Sequence, residues 1–433
     1  MTSWTGAAPF YRLLLALTFG LGSACVHATQ FPEGIEYSLQ TQSYPQFQSN
    51  PFRFSDADRP RHAHDHVIVN GLRAAAIVPL LSERTRLDVS GTLNDANYAH
   101  FDSLDHTAKR LDTTLRWHAG RLFNGRVDYS YDNRLYTYLN RTFPDREMVQ
   151  NRNLSAQAGM RITERLELPV ITISQGDTAY DLPENRTLYN RRQDGWQAAF
   201  LYSGNGNSFV QGGVRQSNVY YQDRTPFWTA QIDNRYRDRE VFVGGQWDYS
   251  AKTTFGARIG YLQREYRRLS ERDEKLLTLD LKAGWDYSVK TRFDLNAWRR
   301  PYANDDSPTT LYSTITGVRG SVRYKLSEKT RLSFNAVAEN QDDTPIAGAR
   351  GQSARLYRAG VRMEWSPHDR VLIVLDGYRD RTAGRAGSGD SYSQNVARIG
   401  VVLSLDNRGR AAKLLWNPEC EPPKYVEASF CDN

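Results

Sequence analysis

The chain has 433 residues, is 39% hydrophobic and 24% charged, and carries a formal charge of +7, with a mean hydropathy of −0.64. Beyond an N-terminal run, no stretch reaches the roughly 20 apolar residues that a membrane-spanning helix needs, which excludes a helical membrane bundle. The charge excess is modest but one-sided, with Arg outnumbering Lys 47 to 9, and the planar guanidinium binds carboxylates and phosphates through paired donors.

Residues 1–28 read as a secretory signal: Arg12, an apolar run from Leu13 to Leu21, and the small-x-Ala pattern Val26-His27-Ala28. Cys25 follows Gly22-Ser23-Ala24, without the aliphatic residue of a lipoprotein site. Cleavage after Ala28 leaves Cys420 and Cys431, an even pair in an exported chain. They predict a disulfide closing a short loop, which contributes about 2–3 kcal/mol on a loop-entropy argument.

The first strand is expected near Ile35–Tyr44, and the last over Tyr392–Leu405, with Ala397, Ile399, Val401, Leu403 and Leu405 on its apolar side. Between them one pattern recurs. From Lys275 to Val289, Leu277, Leu279, Leu281, Ala283, Trp285 and Tyr287 alternate with Thr278, Asp280, Lys282, Gly284, Asp286 and Ser288. Successive strand residues point to opposite faces, so each such segment is a strand with one apolar and one wet side.

Short turns punctuate these strands. They are Leu81-Ser82-Glu83-Arg84, His118-Ala119-Gly120-Arg121, Thr163-Glu164-Arg165, Gly204-Asn205-Gly206-Asn207, Tyr249-Ser250-Ala251-Lys252, Tyr287-Ser288-Val289-Lys290, Leu326-Ser327-Glu328-Lys329 and Trp365-Ser366-Pro367-His368. The last four recur every 38 or 39 residues, one hairpin plus one turn. Eight turns join sixteen strands, and one more at each end predicts an all-β, transmembrane antiparallel β-barrel of about 18 strands over residues 29–405. Longer polar stretches, such as Pro45–Asp65, Asn140–Arg146, Leu182–Asn190, Asn304–Thr309 and Asp343–Gln352, read as the outer loops, and Trp228–Tyr249 as a strand rising above the membrane. Residues 406–433, with Cys420 and Cys431, read as a disulfide-clipped periplasmic tail.

Strand parity assigns the inner wall. Arg110, Asp112, Thr114 and Arg116 face in, as do Arg126, Asp128, Ser130 and Asp132. Arg319, Ser321 and Arg323, then Arg358, Arg362 and Glu364, then Arg398 follow further round. A barrel this wide encloses water rather than a side-chain core, and rings of Arg favour anions. The plainer reading is that Arg–Asp ladders stiffen the wall.

His62, His64 and His66 share one face of an extended segment and are the most metal-like cluster, but no distant ligand joins them, so no metal or cofactor is expected. His100, His106, His118 and His368 are scattered near loops and turns, and no nucleophile–base spacing points to an enzyme.

Several segments carry a family likeness. Ser49-Asn50-Pro51-Phe52-Arg53-Phe54 is similar to an Asp-x-Asn-x-Phe-Arg stretch, with Ser in place of Asp. Leu87–Leu93, Asn97–Phe101, Ser103-Leu104-Asp105, Leu115-Arg116-Trp117-His118 and Val127–Tyr131 continue it. Together they resemble the EpsL-type exopolysaccharide-locus outer-membrane barrels. That resemblance implies a partner of polysaccharide export, fed by a periplasmic export protein, and supplies no catalytic residues. The expectation is therefore an outer-membrane pore for an exopolysaccharide, an acidic one if the Arg count is selective. Its partners would be the polymer, outer-membrane lipid and the export protein, and not nucleic acid. The alternatives are a general or anion-preferring diffusion porin for small solutes, and a plugged structural or adhesive barrel.

Overall fold

The structure is a computed structural model that describes residues 34–57, 59–82, 85–136, 145–302, 308–346, 353–383 and 391–406. The signal segment, Cys420 and Cys431, and the tail beyond residue 406 lie outside the described residues.

The described residues form eighteen strands. The first six are β1 (Glu36–Gln48), β2 (Asp65–Ser82), β3 (Thr85–Tyr98), β4 (His106–Ala119), β5 (Phe123–Leu135) and β6 (Met148–Arg161). The next six are β7 (Leu166–Tyr180), β8 (Arg191–Ser203), β9 (Phe209–Tyr220), β10 (Arg235–Ser250), β11 (Thr253–Tyr266) and β12 (Glu274–Asp286). The last six are β13 (Thr291–Tyr302), β14 (Thr310–Lys325), β15 (Thr330–Pro345), β16 (Ser353–His368), β17 (Val371–Ala383) and β18 (Tyr392–Asp406). Each strand pairs antiparallel with its sequence neighbours, and β1 closes the ring on β18 through registers such as Ser43 opposite Val401. Closure satisfies the backbone donors and acceptors that an open edge would leave bare in hydrocarbon.

The apolar face is outside. Leu277, Leu281, Trp285, Phe334, Val361 and Ile399 are exposed large hydrophobics, while the alternate positions form ion pairs on the opposite face. So continuous an apolar band is stable only against lipid. The protein is a barrel of the bacterial outer membrane.

The short turns repeat a local device. In three of them a serine hydroxyl accepts the amide of a lysine two residues on, Ser250 from Lys252, Ser288 from Lys290 and Ser327 from Lys329, each at 3.2 Å. At the opposite, long-loop end three buried carboxylates stitch loops to strand starts. Asp65 accepts the amides of His100 and Phe101 at 3.1 and 2.9 Å. Glu147 takes those of Asp181 and Leu182 at 2.7 and 3.1 Å. Asp233 takes those of Arg268 and Leu269 at 2.5 and 3.2 Å.

Two expectations shift. Trp228 does not lie in a strand: Pro226–Ile232 is a helix, capped by Thr225 with Pro at its first turn, and β10 begins only at Arg235. The Leu182–Asn190 loop likewise contains a helix, Pro183–Tyr189. Pro fixes φ at helical values and lacks the amide a helix start leaves idle, which strand parity does not register.

Candidate functional site: an ion-paired lumen

The strand register gathers the sequence-selected residues into two sectors of the polar face. Arg110, Asp112 and Arg116 lie on β4 and Arg126 and Asp128 on β5, with Arg116 directly opposite Arg126. Further round the ring, Arg319 and Arg323 lie on β14, Arg358 and Arg362 on β16, and Arg398 on β18.

Seven of these eight arginines form the following ion pairs. Arg110 reaches Asp112 at 2.6 Å, Arg126 reaches Asp128 at 2.6 Å, and Arg116 reaches Asp88 at 3.4 Å. Arg323 pairs with Asp294 at 2.7 Å, Arg362 with Glu364 at 2.9 Å, and Arg398 with Asp376 at 2.6 Å. Arg358 grips Asp380 with both arms of its guanidinium, one at 2.6 Å. Charge bracing, the plainer of the two sequence readings, is therefore present in the wall.

The pairs are not symmetric toward water. The Arg116 side chain is 43% exposed and its partner Asp88 only 5%. Arg215 and Arg258 are 44% and 32% exposed, yet both pair with Glu240, which is 4% exposed. Arg323 is 50% exposed against 23% for Asp294. In these pairs the short carboxylate lies back against the strand and the longer guanidinium stands into the lumen. Other pairs do not follow this rule: Arg264 is buried and Asp238 slightly more exposed than it, and Arg292 and Asp286 are about equally exposed.

Sequence parity did not single out Glu240, which also accepts the Thr278 hydroxyl at 2.8 Å and so ties β10 to β11 and β12. Nor did it single out an apolar patch on the polar face, where Trp298, Ile315 and Val337 pack together. The signal for that patch is Gly317, in register with Trp298, where an added Cβ would lie 2.3 Å from the indole.

The segment after β1 forms a strap on the inner side. Ser49 and Asp56 donate their amides to Asn395 and Ser391 at 2.9 and 2.6 Å. Arg53 pairs with Asp380 at 3.4 Å, beside the ring of Tyr392. Phe52 packs edge-on against Phe101 at 4.8 Å. The strap thus runs from the β17–β18 wall to the β3–β4 loop.

The histidines do not converge on a point. The His64 ring is tilted to His62 and edge-on to His100, with centroids 6.3 and 6.5 Å apart, His66 lies against Phe47, and His100 hydrogen-bonds Asp65 at 3.0 Å. No three metal-capable groups come together among the described residues.

No family model matches the chain, and no curated protein does. Solved structures do. OccK2 (OpdF) of Pseudomonas aeruginosa, in complex with glucuronate, is 12% identical with a TM-score of 0.50, over 87% of this chain and 99% of its own. A BenF-like porin from Pseudomonas fluorescens is 10% identical with a TM-score of 0.49, over 87% and 100%. OccAB3 of Acinetobacter baumannii is 8% identical with a TM-score of 0.48, over 87% and 100%. This likeness establishes the fold of an outer-membrane porin. It also corrects the expectation of exopolysaccharide export. OccK2, a barrel that shares the fold, holds glucuronate, a single sugar acid rather than a polymer. Arginines engaged with the wall, and a strap across its inner face, give that correction a physical basis.

Proposed function

We propose that the protein is an anion-preferring diffusion porin for small acidic solutes, with sugar acids such as glucuronate, the ligand of OccK2, as first candidates. The carrying observation is the unequal exposure within the lumen ion pairs, Arg116 over Asp88 and Arg215 and Arg258 over Glu240. A solute in the pore meets guanidinium edges, while the countercharge sits behind them in the wall. Each guanidinium has donors left for a carboxylate after its wall contact, because it carries five. Many such weak contacts let an anion bind and still leave, and no bond chemistry is needed.

The test is reversal potential in a planar bilayer with a KCl gradient. The wild-type barrel is expected to favour chloride. The variant Arg116→Gln/Arg215→Gln/Arg323→Gln, which takes one guanidinium from each of Asp88, Glu240 and Asp294 and leaves each a second in Arg86, Arg258 and Arg292, is expected to lose much of that preference. Millimolar glucuronate should interrupt the wild-type current, and glucose should not. An unchanged chloride preference in the variant sinks the reading.

A further inference from the structure

The outer face carries a feature that the solute path does not use. From β11 to β16, Phe255, Ala283, Leu295, Gly320, Ala336 and Ala359 stand in register, each opposite the next. Small residues in this row leave an apolar groove of about 890 Å³. Trp285, Phe293 and Phe334 also line it. A Cβ added to Gly320 meets nothing within 4 Å, so this glycine does not serve close packing within the wall; the space beyond it is open. Five inter-strand steps at about 4.8 Å give the row a length of about 24 Å, and strand tilt sets it obliquely within the depth of one leaflet, about 15 Å.

Beneath the groove lie three neighbouring short turns, which face the periplasm. Each carries its lysine at the same place: Lys252, Lys290 and Lys329. The turns are laced to the next hairpins, because Lys252, Lys290 and Lys329 give their carbonyls to the amides of Asp286, Lys325 and Ser366 at 2.7, 2.7 and 2.8 Å. With Lys325, four of the chain's nine lysines stand on this stretch of rim, all exposed. Glu328 and Asp286 are acids beside them, Asp286 being paired with Arg292 at 3.2 Å, and the Lys329 ammonium gives one donor to the Pro367 carbonyl at 3.2 Å. Directly above them, Trp285, Tyr287 and Phe293 cluster with centroids 5.1 to 6.3 Å apart, at the depth where aromatic rings border headgroups.

We propose that this groove is a binding site for an anionic phospholipid of the inner leaflet, its acyl chain along the Gly320 row and its phosphate at the row's low end by Lys252 and Lys290, with Lys329 adding to the positive field of the rim. The apolar furrow and the lysine rim are separate features, and only an amphiphile with a negative head uses both. A second copy meeting this face isologously would bring the same lysines against themselves, a like-charge contact.

The experiment is native mass spectrometry of the purified barrel, titrated with phosphatidylglycerol or with phosphatidylcholine of identical chains. Wild type is expected to retain phosphatidylglycerol over phosphatidylcholine. Lys252→Gln/Lys290→Gln/Lys329→Gln should weaken phosphatidylglycerol retention on the order of a hundredfold, at somewhat under tenfold per lysine. Gly320→Leu/Ala336→Phe, which fills the furrow, should remove retention of both lipids while leaving bilayer conductance unchanged. Equal retention of the two lipids by wild type overturns the proposal. So does a dimer or trimer peak that the furrow-filling variant dissolves, since that assigns the groove to a second copy.

Discussion

At the scale of single residues, the wall tolerates bulk in some places and forbids it in others. Gly317 stands opposite Trp298 on the polar face, and the indole occupies the space its side chain would take. Gly400 does the same for Tyr44, whose ring would lie 1.9 Å from an added Cβ. An aromatic ring laid over a cross-strand glycine covers a backbone that would otherwise be poorly packed. Gly317→Val therefore has to displace Trp298 from its contacts with Ile315 and Val337. The expected cost is about 1–3 kcal/mol, as for other overpacked sites. Urea unfolding of the barrel in micelles, followed by tryptophan emission, measures it. Gly320→Val, with open space around it, is the control and should cost much less. Asp233 is the other residue on which much depends. It is fully buried and takes two loop amides, so Asp233→Ala is expected to cost about 2–4 kcal/mol from amides left without an acceptor.

At the scale of elements, the strap is the segment whose job can be isolated. It is held by Asp56, which accepts from the Ser393 amide and hydroxyl at 3.1 and 3.0 Å, and by Arg53 on Asp380. Arg53→Ala/Asp56→Ala removes these side-chain anchors, keeps the amide bonds of Ser49 and Asp56 to the β18 side, and leaves Asp380 still paired with Arg358. Single-channel recordings are expected to show larger and noisier open currents, and a quiet, unchanged current would mean that the strap does not border the path. None of this was legible from the sequence. Strand parity reports which face a side chain takes, and so it recovered the ring of eighteen strands and the alternation around Leu277, Trp285 and Val401. It carries no information about a loop that folds back, because the partners of Arg53 lie more than three hundred residues away. The same blindness hid the helix at Pro226–Ile232, where Thr225 and Pro226 were the available signals. It also left open whether the Arg excess serves the solute or braces the wall, since parity places Arg116 and Asp88 on one face but does not say which of them lies in front.

At the scale of the molecule, the barrel joins two electrostatic surfaces that work at different ranges. Arginines and carboxylates of the lumen nearly balance in number, so its preference for anions rests on which charge stands nearer the solute, a matter of a few ångströms. Such a field fades faster with salt than that of a net-charged ring, because ions entering the pore screen the nearer guanidinium while the buried carboxylate keeps its place. The Debye length falls from about 10 Å at 0.1 M to about 3 Å at 1 M salt, comparable with the offset between the two charges of one pair. The chloride-to-potassium permeability ratio is therefore expected to drop toward one across that range in the wild-type barrel. Block by glucuronate should weaken less, since a carboxylate docked on a guanidinium uses directed hydrogen bonds as well as the field. Reversal potentials and block constants measured at both salt concentrations separate these contributions. If selectivity and block fall in parallel, the lumen acts through its field alone. If selectivity does not fall at all, a net positive ring, and not paired arginines with hidden carboxylates, governs the pore.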